Sequence, residues 1–112
     1  MIDWKGIETV LLDMDGTLLD LHFDNYFWLE YLPGVYADKH QISPEESNKQ
    51  LHSTFAAGVG TLEWYCLDHW SEALQMDVAA LKRKVQHRVS ARPHALNFLE
   101  ELKTLPCSVV LV

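Results

Sequence analysis

The strongest constraint on the fold is an unbroken apolar run, Val10-Leu11-Leu12, followed at once by Asp13-Met14-Asp15-Gly16-Thr17-Leu18-Leu19-Asp20. An apolar run without alternation is typical of a strand that is buried on both faces of a parallel sheet. Asp13 and Asp15 are two residues apart, so an extended backbone projects both carboxyl groups to one side, and Gly16 permits the chain to turn away. Because ligands of open α/β sheets bind at the carboxyl ends of the strands, this pair predicts a functional site.

Two neighbouring carboxyl groups can divide the work of hydrolysing an ester. One attacks the electrophile covalently, and the other donates a proton to the leaving oxygen and then accepts one from water. Their like charges need a counter-ion, and Mg²⁺ is suited because it prefers carboxylate, carbonyl and water oxygens. The turn amides from Met14 to Gly16, with the Thr17 hydroxyl, can bind the phosphate group. The alternative, a strand followed by an acidic turn, explains Gly16 and one acid but not the full set.

The pattern Asp-x-Asp-Gly-Thr-Leu-x-Asp after an apolar strand resembles the first motif of the haloacid dehalogenase-like (HAD) superfamily, whose members mostly transfer phosphoryl groups through an aspartyl-phosphate. The resemblance implies that Asp13 is the nucleophile and a metal ligand. It also implies that Asp15 is the general acid/base and that its backbone carbonyl binds the metal. The dehalogenases of the superfamily usually lack the second acid, so Asp15 favours a phosphatase. No lysine in the middle of the chain stands out as the Schiff-base residue of phosphonate chemistry.

Composition indicates a globular domain, or part of a larger one, because 48% of the 112 residues are hydrophobic. The net charge of −7 argues against a surface for nucleic acids or anionic membranes. Cys66 and Cys107 form no CxxC motif, and no segment has the pattern of a signal peptide or a membrane span. These features together predict a cytoplasmic protein with reduced thiols.

Capping and stop signals predict a series of helices after the motif. Asp24 is expected to cap a helix from Asn25 to about Leu32, with Pro33-Gly34 as its stop. Ser43-Pro44-Glu45-Glu46 is expected to start a helix that runs to about Ala57. The remaining helices are expected from Thr61 to about Gln75, from Asp77 through Val85 and from Arg92-Pro93 to about Thr104, before a second apolar strand at Ser108-Val109-Val110-Leu111-Val112.

The order strand, helical insert, helix, strand predicts an α/β fold, namely the start of a HAD-like Rossmannoid parallel sheet in which a crossover helix joins strand 1 to strand 2. We expect residues 1–20 and 90–112 to form a partial α/β core and residues 21–89 to form a mainly α-helical domain. In the resembled superfamily, an insert here is a cap that closes over the aspartates and selects substrates. That superfamily also uses a later Ser or Thr, a Lys and an acidic pair. Because these are missing, we expect an N-terminal portion of a longer enzyme that is inactive alone.

Further stretches, Leu11–Leu21, Phe23–Trp28, Leu62–Asp68 and Trp70–Glu72, extend the resemblance over most of the chain. Within the superfamily, they most resemble bacterial purine-nucleotide 5′-nucleotidases of the GMP/IMP type. This resemblance implies Mg²⁺-dependent hydrolysis of a nucleoside 5′-monophosphate. Small sugar or organic-acid phosphates are alternative substrates. A non-catalytic binding or assembly module, which self-associates through an exposed sheet edge, is the alternative to an enzyme.

Four further residues are candidates for contacts with the substrate or with the cap. Trp28 or Trp64 can stack on a base, although packing in a core is the favoured explanation for each ring. Arg92 and the basic residues before it form either a solvated face or a set of cations that reach the substrate. Asp20, the last acid of the motif, is the fourth candidate.

Overall fold

The computed structural model describes all 112 residues, which divide into two compact units. Unit 1 comprises Met1–Phe23 and Val89–Val112, and unit 2 comprises Asp24–Arg88. None of the helices is long and apolar enough to cross a membrane.

The strands are β1 (Thr9–Leu12) and β2 (Ser108–Leu111), and the α-helices are α1 (His22–Tyr26), α2 (Leu32–His40), α3 (Pro44–Ala56), α4 (Leu67–Leu74), α5 (Val78–Lys84) and α6 (Ala95–Leu102). Shorter helical segments are a π-helix at Phe27–Tyr31 and 3-10 helices at Trp4–Gly6, Leu62–Tyr65 and Gln86–Arg88.

Unit 1 contains a two-stranded parallel sheet. Thr9 lies opposite Ser108 and Leu12 lies opposite Leu111, with α6 directly before β2 in the chain. The predicted α/β class is therefore confirmed. The expectation that β1 is buried on both faces is wrong for this chain, because Leu12 is buried but Leu11 is 64% exposed. Two strands and one helix offer too little apolar surface to cover both faces of the sheet.

The helix α6 starts later than predicted. It begins at Ala95 rather than at Arg92-Pro93, and His94 before it has a left-handed φ of 67°. The backbone amide of Arg92 donates to the carbonyl of Leu18 at 2.8 Å, so this residue pairs with the N-terminal segment instead of joining the helix. Ala95 and Leu102 are buried, which anchors both ends of α6 within unit 1.

The predicted helix stop at Pro33-Gly34 is wrong, because α2 runs through both residues to His40. Proline has no N–H and cannot make the usual bond to the carbonyl four residues before it. The preceding turn is a π-helix in which the amide of Leu32 donates to the carbonyl of Phe27, five residues back. This wider turn accommodates the proline. The predicted capping role of Asp24 is also wrong, since Asp24 lies inside α1.

The other predicted helix starts have mixed outcomes. Ser43 caps α3 as predicted, because its hydroxyl accepts the amide of Glu46 at 3.2 Å. Asp77 caps α5 through the amide of Ala80 at 2.8 Å. The single helix expected from Thr61 is instead a 3-10 helix, a break at Cys66 and then α4. Thr61 donates its hydroxyl to the carbonyl of Gly58 at 2.7 Å and does not cap a helix.

Unit 2 has an apolar core of its own. Phe27, Leu32, Leu51 and Val78 are almost completely buried. Ser47 is also buried, and its hydroxyl donates to the carbonyl of Pro33 at 2.7 Å, so this polar group is satisfied. Aromatic side chains add edge-to-face contacts, among them Phe55 on Trp70 with ring centroids 5.1 Å apart. Unit 2 is therefore a helical bundle with tightly packed side chains, while its role as a cap stays a prediction.

Candidate active site

The segment after β1 forms a tight, internally hydrogen-bonded turn. The carbonyl of Met14 accepts the amides of Thr17 at 3.3 Å, Leu18 at 3.0 Å and Leu19 at 2.9 Å. Gly16 has a φ of +79°, a conformation that costs glycine little and other residues more. The glycine in the motif is therefore explained by the turn that follows the two acids.

The two carboxylates lie on the exposed side of this turn. Asp13 and Asp15 are both exposed to solvent. The hydroxyl of Thr17 donates to Oδ2 of Asp13 at 3.1 Å, which fixes one oxygen of that carboxylate. A hydrogen bond of this kind orients the side chain, because it restricts the rotation of the carboxyl group. The turn thus presents an oriented Asp13 with Asp15 two residues further along.

Part of the predicted phosphate cradle is already used by the turn. The amide of Gly16 donates to the carbonyl of Leu19 at 2.8 Å, and the amide of Thr17 donates to Met14. These two donors hold the turn closed. The predicted phosphate donors at Gly16 and Thr17 are thus engaged, since the Gly16 amide bonds Leu19 and the Thr17 hydroxyl bonds Asp13. The amide of Met14 stays a predicted phosphate-binding group of the motif.

Two more candidates, Asp20 and Arg92, contact the same turn or its flank. Asp20 Oδ1 accepts the amide of His22 at 2.7 Å, at the start of α1. Asp20 therefore has the capping role that was predicted for Asp24. Arg92 Nη1 donates to the carbonyl of Gly16 at 3.0 Å across 76 residues of chain. The sequence carried no signal for that contact, because it depends on how two distant segments meet.

The aromatic candidates belong to unit 2. Trp28 packs its ring edge-to-face against Phe27 at 5.1 Å and Phe55 at 5.5 Å between centroids. Trp64 is 41% exposed, and its ring packs edge-to-face against that of Trp70 with centroids 6.0 Å apart. Packing thus accounts for much of each ring, and their contact with a base stays a prediction.

The oxygen donors of the turn fit a hard divalent cation. No group of three or more His, Cys, Asp or Glu side chains is arranged to hold a metal ion. Asp13 and Asp15 provide two carboxylates. Mg²⁺ commonly binds one or two carboxylates together with water and substrate phosphate oxygens. The residues present are therefore compatible with Mg²⁺, provided that the remaining ligands are water, phosphate or groups from outside these residues.

No protein-family model matches the chain. It is 44% identical over 102 residues to the GMP/IMP nucleotidase YrfG of Escherichia coli K12, and equally to the protein of that name from Shigella flexneri. Each alignment covers 91% of this chain and 46% of the relative, so the chain spans about half the length of the curated relatives it matches.

A solved structure has the same fold. The crystal structure of a HAD phosphatase from Thermococcus onnurineus matches with a TM-score of 0.77 at 22% sequence identity. The match covers 95% of this chain and 50% of that one. The solved structure therefore shows the fold of the chain, and the curated relatives show that its sequence is similar to the N-terminal half of proteins called GMP/IMP nucleotidases.

Proposed function

We propose that the protein to which this chain belongs hydrolyses phosphate monoesters, with Asp13 as the nucleophile and Asp15 as the general acid/base. The observation that carries the proposal is the bond from the Thr17 hydroxyl to Oδ2 of Asp13, at 3.1 Å on an exposed turn. It orients the first carboxylate while leaving it accessible to a substrate. The names of the relatives, a nucleotidase and a phosphatase, support the same class of reaction.

The proposed reaction has two steps. In the first, a carboxylate oxygen of Asp13 bonds to phosphorus, the bond from phosphorus to the ester oxygen breaks, and Asp15 donates its proton to the departing alcohol. In the second, Asp15 takes a proton from water, whose oxygen bonds to phosphorus as the bond to Asp13 breaks. Inorganic phosphate leaves and both aspartates return to their starting states.

Mg²⁺ is the proposed cofactor, held by the carboxylate of Asp13 and by Asp15 through its backbone carbonyl. When bound, it offsets the repulsion between the carboxylates and the phosphate and polarises the phosphoryl oxygens. We propose that the amide of Met14 binds the phosphate, and that the Thr17 hydroxyl joins it by exchanging its bond to Asp13 for one to a phosphate oxygen.

The proposed substrates are nucleoside 5′-monophosphates, with purine nucleotides as the first choice because the sequence relatives are called GMP/IMP nucleotidases. The exposed part of the Trp64 ring is a candidate surface for the base. Small sugar and organic-acid phosphates are the competing class. A cytoplasmic location belongs to the same proposal, and the unpaired thiols of Cys66 and Cys107 are consistent with it.

The test uses the full-length protein and a panel of GMP, IMP, AMP and sugar phosphates. We expect Mg²⁺-dependent release of phosphate, with kcat/KM highest for GMP and IMP, and loss of activity with EDTA. Asp13→Asn should lower kcat by at least about a thousandfold, because the covalent route is lost.

The matched control is Glu100→Gln, which makes the same carboxyl-to-amide change on an exposed residue of α6. It should keep wild-type turnover. Asp13→Asn with wild-type activity would exclude the nucleophile, and equal rates on all esters would exclude the nucleotide preference. We also expect the 112-residue chain alone to lack turnover.

A further inference from the structure

We propose that Arg92 is a positioning residue for the turn that carries Asp13 and Asp15, and that it does not bind the substrate. Its side chain and its backbone contact the same turn. Nη1 donates to the carbonyl of Gly16 at 3.0 Å, and the backbone amide donates to the carbonyl of Leu18 at 2.8 Å. One residue thus bonds two carbonyls of the catalytic turn.

The two carbonyls that Arg92 contacts are not used by the hydrogen bonds within the turn. The internal bonds use the carbonyls of Met14 and Leu19 as acceptors for the amides of residues 16 to 19. Arg92 binds the carbonyls of Gly16 and Leu18, which accept no amide from inside the turn. A neighbouring bond, from the amide of Asp20 to the carbonyl of Ser90 at 2.9 Å, continues the same pairing of the two segments.

The acidic part of the turn has little apolar packing to hold it, which leaves polar anchors to do so. Asp13, Met14 and Asp15 are exposed, and the side chain of Leu21 is the group that a Cβ on Gly16 would meet, at 3.2 Å. A hydrogen bond from a guanidinium is roughly twice as strong as one between neutral groups. The cation of Arg92 is therefore well placed to fix the conformation from which Asp13 is presented.

The competing role, a cation that binds the substrate phosphate, predicts different kinetics. A substrate ligand that acts equally in the ground state and the transition state changes KM when it is removed. A residue that holds the nucleophile in its reactive position instead changes kcat, because misplacement of a reacting group by a small distance costs rate. The split between kcat and KM thus separates the two roles, and this readout rests on the proposed function.

The experiment compares Arg92→Met and Arg92→Lys in the full-length protein, with Lys103→Met as the control. Arg92→Met keeps the aliphatic bulk and removes the donors, so we expect kcat to fall by about tenfold with KM within about twofold of wild type, the scale of one charged hydrogen bond. Arg92→Lys keeps a cationic donor and should recover part of the loss. Lys103 lies in unit 1 and pairs with Glu100 on the surface, so its change should leave both constants unaltered.

A second readout needs no substrate. Amide hydrogen exchange of Leu18 and Leu19, measured by NMR, reports how often the turn opens. We expect exchange about tenfold faster in Arg92→Met and unchanged in Lys103→Met. Unchanged exchange in Arg92→Met, or a raised KM with an unaltered kcat, would overturn the proposal. If the wild-type protein hydrolyses no phosphate ester, the proposed function fails, while hydrogen exchange still decides the role of Arg92.

Discussion

The two units differ in how completely each buries its own apolar side chains. In unit 2, residues from all of its longer helices are buried, including Leu32, Leu51, Trp70 and Val78. In unit 1, β2 is exposed along its whole length, and the buried apolar residues are confined to Leu12, Ala95 and Leu102. The unit with the fewer buried residues also carries the two aspartates of the motif.

Most of the apolar packing and the predicted catalytic aspartates therefore lie in different units of the chain. Unit 2 is held by apolar packing, which is dense and tolerates little change in volume. The turn in unit 1 is held by hydrogen bonds around Met14, Gly16 and Arg92. Strands with exposed apolar faces and unpaired edges can associate with further apolar surface. Self-association through the sheet edge accordingly stays a prediction for the 112-residue chain.

The largest expected effect compares the same substitution in each unit. Leu51 is 2% exposed, so Leu51→Ala should lower the free energy of unfolding by about 3 kcal/mol, through lost burial and the cavity that remains. Leu111 is 55% exposed, so Leu111→Ala should cost less than about 1 kcal/mol. Urea denaturation of the 112-residue chain, followed by circular dichroism, measures both. Equal losses at the two positions would refute the contrast between the units.

A second prediction tests how tightly unit 2 is packed. A Cβ on Gly58 would lie 2.7 Å from Cη2 of Trp70, whose ring is buried and bonded through its N–H to Trp64. Because that ring is also packed against the rings of Phe55 and Trp64, Gly58→Ala should lower the free energy of unfolding by about 1 to 3 kcal/mol.

The matched change is Gly34→Ala, at an exposed glycine inside α2 where an added Cβ meets nothing within 4 Å. It should raise the free energy of unfolding by about 0.5 to 1 kcal/mol, because alanine favours the helix. Opposite signs for the two substitutions in thermal unfolding are the expected result. A stabilising Gly58→Ala would mean that the contact with Trp70 is loose.

Local signals in the sequence predicted part of the local structure, although the caps expected at Asp24 and Thr61 are not formed. The strand before Asp13 and the cap at Ser43 depend on neighbouring residues, and both are present. The passage of α2 through Pro33 was missed, because it depends on a π turn and on a distant bond from Ser47. The contact between Arg92 and Gly16 was missed for the same reason, since it joins residues 76 positions apart. Neighbouring residues can specify a cap, as at Ser43, whereas contacts distant in sequence influence where a helix continues.

The smallest expected effect compares one ion pair from each unit. In unit 2, Lys82 Nζ lies 2.9 Å from Asp24 Oδ1, with side chains 22% and 35% exposed. In unit 1, Lys103 and Glu100 lie 2.7 Å apart, but their side chains are 69% and 71% exposed. Water and salt screen the exposed pair more strongly, and long side chains lose entropy when they pair.

Double-mutant cycles with Asp24→Asn and Lys82→Met, and with Glu100→Gln and Lys103→Met, measure the two couplings. We expect about 0.5 to 1 kcal/mol for Asp24 with Lys82, and less than about 0.3 kcal/mol for Glu100 with Lys103. Lys82 also lies 5.3 Å from the ring centroid of Phe27, so Lys82→Met alone should cost more than the coupling. A larger coupling at the exposed pair would show that burial does not decide the strength of these interactions, and the contrast between the units would then be limited to their apolar side chains.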